Sequence, residues 1–368
     1  MRGWGVAAAL AGALVSAGCA GPVSKLPTAS PTAIATEQYR QQLAAVRAYY
    51  RDLGRIDNVA FRIRTANTRF CKDKVAAEIG LFAGTMRSLP RKYHSVAGHT
   101  LDLSWDTPRA ISVAAGSPAA IAGLEPGDDV LSLNGAPVPK TGTVQWIADS
   151  VKKNGTAPIT LTARRDGKQR TLTLYPVMGC SIPIALHASP IPNAYSTGDK
   201  IVIQSGLLRL AHSDADLAIV IGHELAHANL GHIRKRQENA LIGEIGGAVI
   251  DGGLLLGGVY TGGAFAKYFE KAGARAYSIE FEREADYVGA YYAARAGYDV
   301  SGAENLWRAF ALEVPSSISL ATDHPTPPAR FVYMRKTIAE IEAKERRHLP
   351  LVPEPAAPRT PVALATGL

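Results

Sequence analysis

Between residues 37 and 52 the apolar positions Tyr39, Leu43, Val46, Tyr49 and Tyr50 recur at helical spacing with basic and amide residues between them, which predicts an amphipathic helix. From 56 to 64, Val59, Phe61 and Ile63 alternate with polar neighbours, the period-two signature of a strand. Further along, short apolar stretches are punctuated by turn residues. Ser117-Pro118 opens a short helix, Pro126-Gly127 makes a turn, 130–133 is a strand and Asn134-Gly135 a hairpin turn, and Asp166-Gly167 joins strands at 159–163 and 171–174. Residues 199–204 alternate on Ile201 and Ile203 and read as an edge strand able to hold an extended chain. An unbroken apolar helix follows at 217–228. Ser213 can cap it with Asp216 answering in a capping box, and Gly231 can close it ahead of the basic run 232–236. A second helix, 278–296, begins with charges and carries the small residues Gly289, Ala290, Ala293 and Ala294, suited to close helix packing. Residues 240–264 are apolar and glycine-rich but are interrupted by Glu244 and Asp251. A mobile flap or membrane-touching loop is expected there rather than a spanning helix.

The apolar helix at 217–228 contains His223-Glu224-Leu225-Ala226-His227. At i and i+4 the two imidazoles project from one helix face and can share a Zn²⁺, while Glu224, one step round, can act as a base on water. The spacing that would make His232 a third histidine ligand is off by one residue, so His232 is read as structural. Carboxylates on helix 278–296 can complete the set. Glu282 and Asp286 share a face, whereas Glu280 and Glu284 are each turned about 200° from Glu282 at about 100° per residue. Glu282 is the expected ligand, and Asp286 the acceptor that fixes a ligand histidine's tautomer.

Five motifs in order carry a family resemblance: Pro192-Asn193-Ala194-Tyr195, the stretch 200–208, the H-E-L-A-H and E-R-E-A-D motifs, and Asp323-His324-Pro325. Residues 184–341 thereby resemble the gluzincin metallopeptidases that include the CAAX prenyl endopeptidases, HtpX-type membrane peptidases, mitochondrial Oma-type proteases and periplasmic BepA-type peptidases. The resemblance implies one Zn²⁺ per chain held by His223, His227 and Glu282, with Glu224 as general base. It also brings His324 near the metal, either plugging the open coordination position of a resting enzyme or donating a hydrogen bond to the oxyanion; the plug is favoured because no pro-segment is visible. Residues 116–135 resemble a bacterial PDZ domain, which implies strand addition of a peptide end, although no carboxylate-binding loop is apparent. The expected fold is α+β: a mainly helical zincin peptidase domain with a small edge sheet, plus a β-rich PDZ-like domain. The expected activity is zinc-dependent endopeptidase action on unfolded or extended polypeptides in envelope quality control. A chaperone-like periplasmic binding protein assisting outer-membrane assembly is the alternative.

Composition adds a cellular setting. Arg2, an apolar run at 3–15 and Ser16-Ala17-Gly18-Cys19 look like a bacterial lipoprotein signal, with Cys19 acylated and the protein tethered on the periplasmic face of an envelope membrane, the outer one favoured. Cys71 and Cys180 then remain on either side of the middle region, and in an oxidising compartment they would pair. A net charge of +8 spread over only 20% charged residues, with no dense basic run, brings no motif for nucleic acid. The expected divisions are signal 1–18, tether 19–36, an N-terminal helix and strand 37–95, the PDZ-like domain 96–176, the peptidase 177–348 and a disordered tail 349–368.

Overall fold

The computed structural model describes residues 24–89, 91–100, 102–256, 261–275, 278–313, 315 and 328–355. The signal segment, Cys19, His324 and the tail beyond 355 lie outside the described residues. Two compact units are formed, residues 1–42 and 43–368. In chain order the elements are α1 (Pro31–Ala66), β1 (Val75–Glu78), β2 (Leu81–Gly84), α2 (His94–Thr100), β3 (Arg109–Val113), α3 (Pro118–Ile121), β4 (Asp129–Leu133), β5 (Ala136–Pro137), α4 (Thr143–Asn154), β6 (Ile159–Arg165), β7 (Lys168–Leu174) and β8 (Val177–Cys180). There follow β9 (Ile184–His187), β10 (Ala194–Ser196), β11 (Ile201–Gln204), α5 (Asp214–Leu230), α6 (His232–Leu256), α7 (Ala264–Arg275), α8 (Ser278–Arg295), α9 (Ala303–Glu313) and α10 (Pro328–Arg346). The fold is α+β, with a helical peptidase region and a β-rich PDZ region.

The strand expected at 56–64 is instead the last third of the single helix α1. Ile56, Val59, Ala60 and Ile63 fall at i, i+3, i+4 and i+7, so the same residues satisfy a helical period, and all four are buried in the peptidase core. Each large apolar side chain buried there contributes about 1.5–3 kcal/mol, which decides the period. The helix also begins at Pro31, a residue suited to the first helical turn, so residues 31–36 are helical rather than tether. At the other end, Leu351 packs against the peptidase core, and Lys344 Nζ donates to Val352 O at 2.7 Å. The start of the expected tail is therefore held in place.

The PDZ region is a sheet of order β2-β3-β4-β6-β7, with β5 paired to β4. Its turns are those the sequence announces: Asn134 and Gly135 take φ of 47° and 79°, Asp166 and Gly167 φ of 50° and 73°. The edge strand β2 lies upstream of the expected boundary at 96, because its partner β3 sits 28 residues further on across residues 85–108. Strands β1 and β8 pair antiparallel, Val75 opposite Cys180, and Cys71 and Cys180 form a disulfide beside that pair. The insertion thus has a two-stranded neck with a covalent clasp.

In the peptidase region β11 is not an edge. It lies between antiparallel β10 and parallel β9, because Ile201, Val202 and Ile203 are all buried, as a central strand requires. Edge status passes to β10 and β9. Among its described residues the apolar segment 240–264 is largely helical rather than a loop: α6 runs to Leu256 and α7 starts at Ala264. A Cβ on Gly247 would lie 2.3 Å from Phe265 O, so glycine permits the close approach of these two helices. Asp251 serves the pair by accepting from Ala266 N at 2.8 Å. Among the described residues, no helix is long and apolar enough to cross a membrane.

Candidate metal centre

Helix α5 is fixed at both ends by local chemistry. Ser213 Oγ accepts from Asp216 N at 3.0 Å while Asp216 Oδ2 accepts from Ser213 N at 2.9 Å, and Gly231 closes the helix with φ of 68°. Between these ends 217–228 is wholly buried, including His223, Glu224 and His227. Polar side chains survive such burial only when paired or ligated.

The partner is α8, which crosses α5 backbone to backbone. A Cβ on Gly222 would sit 2.5 Å from Gly289 O, so the small residue at each position is what allows the contact. This approach delivers Glu282 to the two histidines. His223 Nε2 lies 3.0 Å from His227 Nε2 and 3.4 Å from Glu282 Oε2, and His227 Nε2 lies 3.3 Å from Glu282 Oε1. Tetrahedral Zn²⁺ with ligands at about 2.0–2.1 Å requires donor atoms about 3.3 Å apart. The three donors therefore fit the ion, in chemistry as in spacing.

Asp286, one turn beyond Glu282, lies with Oδ1 3.0 Å from His223 Nδ1. Arg330 of α10 binds Asp286 through two nitrogens, with Nη2 2.7 Å from Oδ1, and its Nη2 also lies 3.7 Å from Glu282 Oε2. The guanidinium rests on the Trp307 ring at 4.2 Å, and the same ring meets His223 at 5.3 Å. Burial acts to lower the His223 pKa, but the Asp286 and Glu282 carboxylates outweigh it and raise it to about 9. Burial dominates at His227 and takes it down to about 4. Burial would lift Asp286, yet the Arg330 charge holds it low. The pocket favours a positive charge among the ligand atoms, whether proton or metal. Arg330 and Trp307 are not found by reading the sequence, since an arginine 44 residues from its partner aspartate leaves no local pattern.

Glu280 is exposed and away from this cluster, as the helical angles require. His232 is structural, as its spacing indicates, and it lies close to the cluster. The left-handed Gly231 ends the helix and turns the chain, so the buried His232 ring comes back against His227, Nδ1 to Nδ1 at 3.0 Å. Its Nε2 lies 3.0 Å from Glu284 Oε2. With both ring nitrogens engaged it is not a further ligand. Asn229 Nδ2, two residues beyond His227, donates to Cys71 Sγ at 3.1 Å, tying the clasp of the inserted domain to the metal helix.

Residues 182–338 match the family model described as peptidase family M48, and residues 96–175 match the PDZ domain. The chain is 33% identical over 156 residues to the mitochondrial metalloendopeptidase OMA1 of Arabidopsis thaliana. That alignment takes in 42% of this chain but only 28% of the length of the relative. Among solved structures, the HtrA3 PDZ domain bound to a phage-derived ligand is similar at 20% identity, over 28% of this chain and 88% of that one, with a TM-score of 0.22. A serine endoprotease from Yersinia pestis is similar at 19% identity over 30% and 34%, with a TM-score of 0.21.

Proposed function

With a peptidase family M48 domain at residues 182–338 and a PDZ domain at 96–175, we propose that this protein is a zinc-dependent endopeptidase of the bacterial cell envelope that cuts unfolded or mistargeted proteins. The observation that carries the reading is the close approach of three donor groups, His223 Nε2 and His227 Nε2 3.0 Å apart and the two Glu282 oxygens 3.4 and 3.3 Å from them, with a buried carboxylate next in sequence to one of them. Mere binding of a polypeptide has no use for Glu224 at that place.

A zinc ion held by His223, His227 and Glu282 supplies Lewis acidity, polarising the scissile carbonyl and lowering the pKa of water from about 15.7 toward about 7. The carboxylate of Glu224 takes the proton of the attacking water and passes it to the leaving amine nitrogen. Arg330 offsets the charge of Glu224, Glu282 and Asp286 where almost no solvent enters. Asp286 holds the His223 ring so that Nε2 points inward. The substrate is an extended polypeptide laid along β10, the sheet edge that packs on α5, where backbone hydrogen bonds recognise chain rather than side chain. The PDZ domain offers a second place for a peptide end. Acylation of Cys19 keeps the enzyme on the periplasmic face of the outer membrane, from which misassembled envelope proteins are within reach.

The test is degradation of a permanently unfolded protein by the zinc-loaded soluble chain beginning after Cys19. Wild type should cut it and Glu224→Gln should not, with zinc content equal in both. If wild type and Glu224→Gln alike bind the unfolded protein and neither cuts it, the peptidase reading is wrong and a chaperone-like role takes its place.

A further inference from the structure

Both histidines of the metal centre have their outward-facing nitrogen engaged, and the two supports differ. Behind His223 stands a carboxylate, Asp286, at 3.0 Å. Behind His227 stands another imidazole, His232, whose far nitrogen in turn meets Glu284 at 3.0 Å. His232 is completely buried, its ring stacked on Phe281 with centroids 4.6 Å apart and planes 16° apart, and set edge-on to His227 at 4.9 Å. The stack fixes the ring plane, and the turn at Gly231 fixes where it stands.

Counting protons along this row leaves one arrangement. A histidine that offers the lone pair of Nε2 to a metal carries its proton on Nδ1. Nδ1 of His227 must then donate to Nδ1 of His232, which must accept. A neutral His232 that accepts at Nδ1 carries its proton on Nε2, where Glu284 receives it. We infer that His232 and Glu284 are positioning residues that set the tautomer and ring orientation of His227, so that zinc affinity depends on two side chains that never touch the ion. No other tautomer of His232 satisfies both contacts. Glu284, about half exposed, anchors the row at the surface, which separates its role from that of its neighbour Glu282.

The inference rests on the zinc reading of His223, His227 and Glu282. It is tested by competing a chromophoric chelator for zinc on the full soluble chain, and by the visible spectrum of the cobalt-substituted protein, which reports the ligand field directly. His232→Phe keeps the aromatic volume and the stack on Phe281 but cannot accept; zinc affinity should fall about 10- to 100-fold and the cobalt bands should shift. His232→Asn places an acceptor oxygen near the former Nδ1 and should restore most of that loss, a rescue that simple packing does not provide. Glu284→Leu, at a half-exposed position, should weaken zinc by about 10-fold, and Glu284→Gln should recover it. His232→Phe or Glu284→Leu with wild-type affinity and an unchanged cobalt spectrum overturns the inference, as does a His232→Asn no better than His232→Phe. If His232→Phe does not fold, the Glu284 pair decides alone. A wild-type chain that binds no zinc overturns the zinc reading itself, and this inference with it.

Discussion

Substituting Gly289 with alanine should damage the metal centre from behind. The added Cβ would lie 2.6 Å from His223 N, 2.7 Å from His223 Cα and 2.8 Å from Gly222 C, where ordinary contact begins at 3.4 Å. Every one of these atoms is backbone, so no side chain can rotate out of the way. Restoring contact requires α5 and α8 to part by about 0.8 Å at the crossing, while metal ligand distances tolerate only about 0.2 Å. Glu282 rides on α8, two turns from the wedge, so it moves relative to His223 and His227. Overpacking of this kind costs about 1–3 kcal/mol of stability. The zinc affinity should fall by at least about tenfold, since a 1.4 kcal/mol loss at the site already does this. Gly246 supplies the control: it is helical with nothing within 4 Å of an added Cβ, so Gly246→Ala should be neutral or stabilise by about 0.5–1 kcal/mol. Thermal unfolding and zinc titration of the two variants decide the matter. A Gly289→Ala protein with wild-type zinc affinity and melting temperature would show that the helices do not depend on this contact.

Glu282→Ala should empty the metal site while Glu280→Ala retains full zinc by elemental analysis; the reverse result would reassign the third ligand. Asp57, largely but not fully enclosed beside Ser112 and Arg64, has its pKa raised by desolvation to about 6 from 3.8. Its ionised form therefore opposes folding, a cost absent below about pH 4 and complete above about pH 6. Asp57→Asn should stabilise by up to about 3 kcal/mol at pH 7.5 and by almost nothing at pH 4, with Arg64 keeping Glu78 at 2.9 Å; denaturant titrations showing equal effects at the two pH values would refute this. His324→Ala should speed cleavage at unchanged zinc content if that histidine plugs the site, whereas a loss of kcat on the order of a hundredfold would make it an oxyanion donor. Cys19→Ala should abolish palmitate labelling and release the protein from membranes, and unchanged fractionation would remove the lipid anchor from the proposal.

What was legible in the sequence is what short-range chemistry writes there. The Ser213 to Asp216 capping box, the closure at Gly231, and the hairpin turns at Asn134-Gly135 and Asp166-Gly167 each follow from a few adjacent residues. The face shared by Glu282 and Asp286 follows from helical angles alone, and both side chains reach the histidines. Ile56, Val59, Ala60 and Ile63 misled because alternation and helical spacing coincide over so short a span, and only the surrounding core separates them. His232 is structural, as its off-by-one spacing indicates, but its contact with His227 comes from a turn at Gly231 one residue long, which helical spacing does not announce. Strand β11 gained a second neighbour only through β9, a parallel pairing for which nothing within 199–204 gives a sign. Arg330 reaches Asp286 through a fold, not through a pattern.

The clasp between Cys71 and Cys180 encloses the whole PDZ insertion in a loop closed at a sequence separation of 109, with Cα atoms 5.6 Å apart. Closure of a loop of that size restrains the unfolded chain by about 4–5 kcal/mol. It also gives this chain an unusual response to being cut. A nick anywhere in the insertion, whether from a neighbouring copy or another protease, leaves the N-terminal and C-terminal pieces in one covalent molecule, since each piece keeps one of the two sulfurs. On a non-reducing gel such a molecule runs as the intact chain, and with thiol it separates into two. An assay for self-processing that omits the reductant would miss it, and an engineer who opened the chain in the insertion to graft a different recognition module would find the piece carrying α1 still joined to the piece carrying the metal centre.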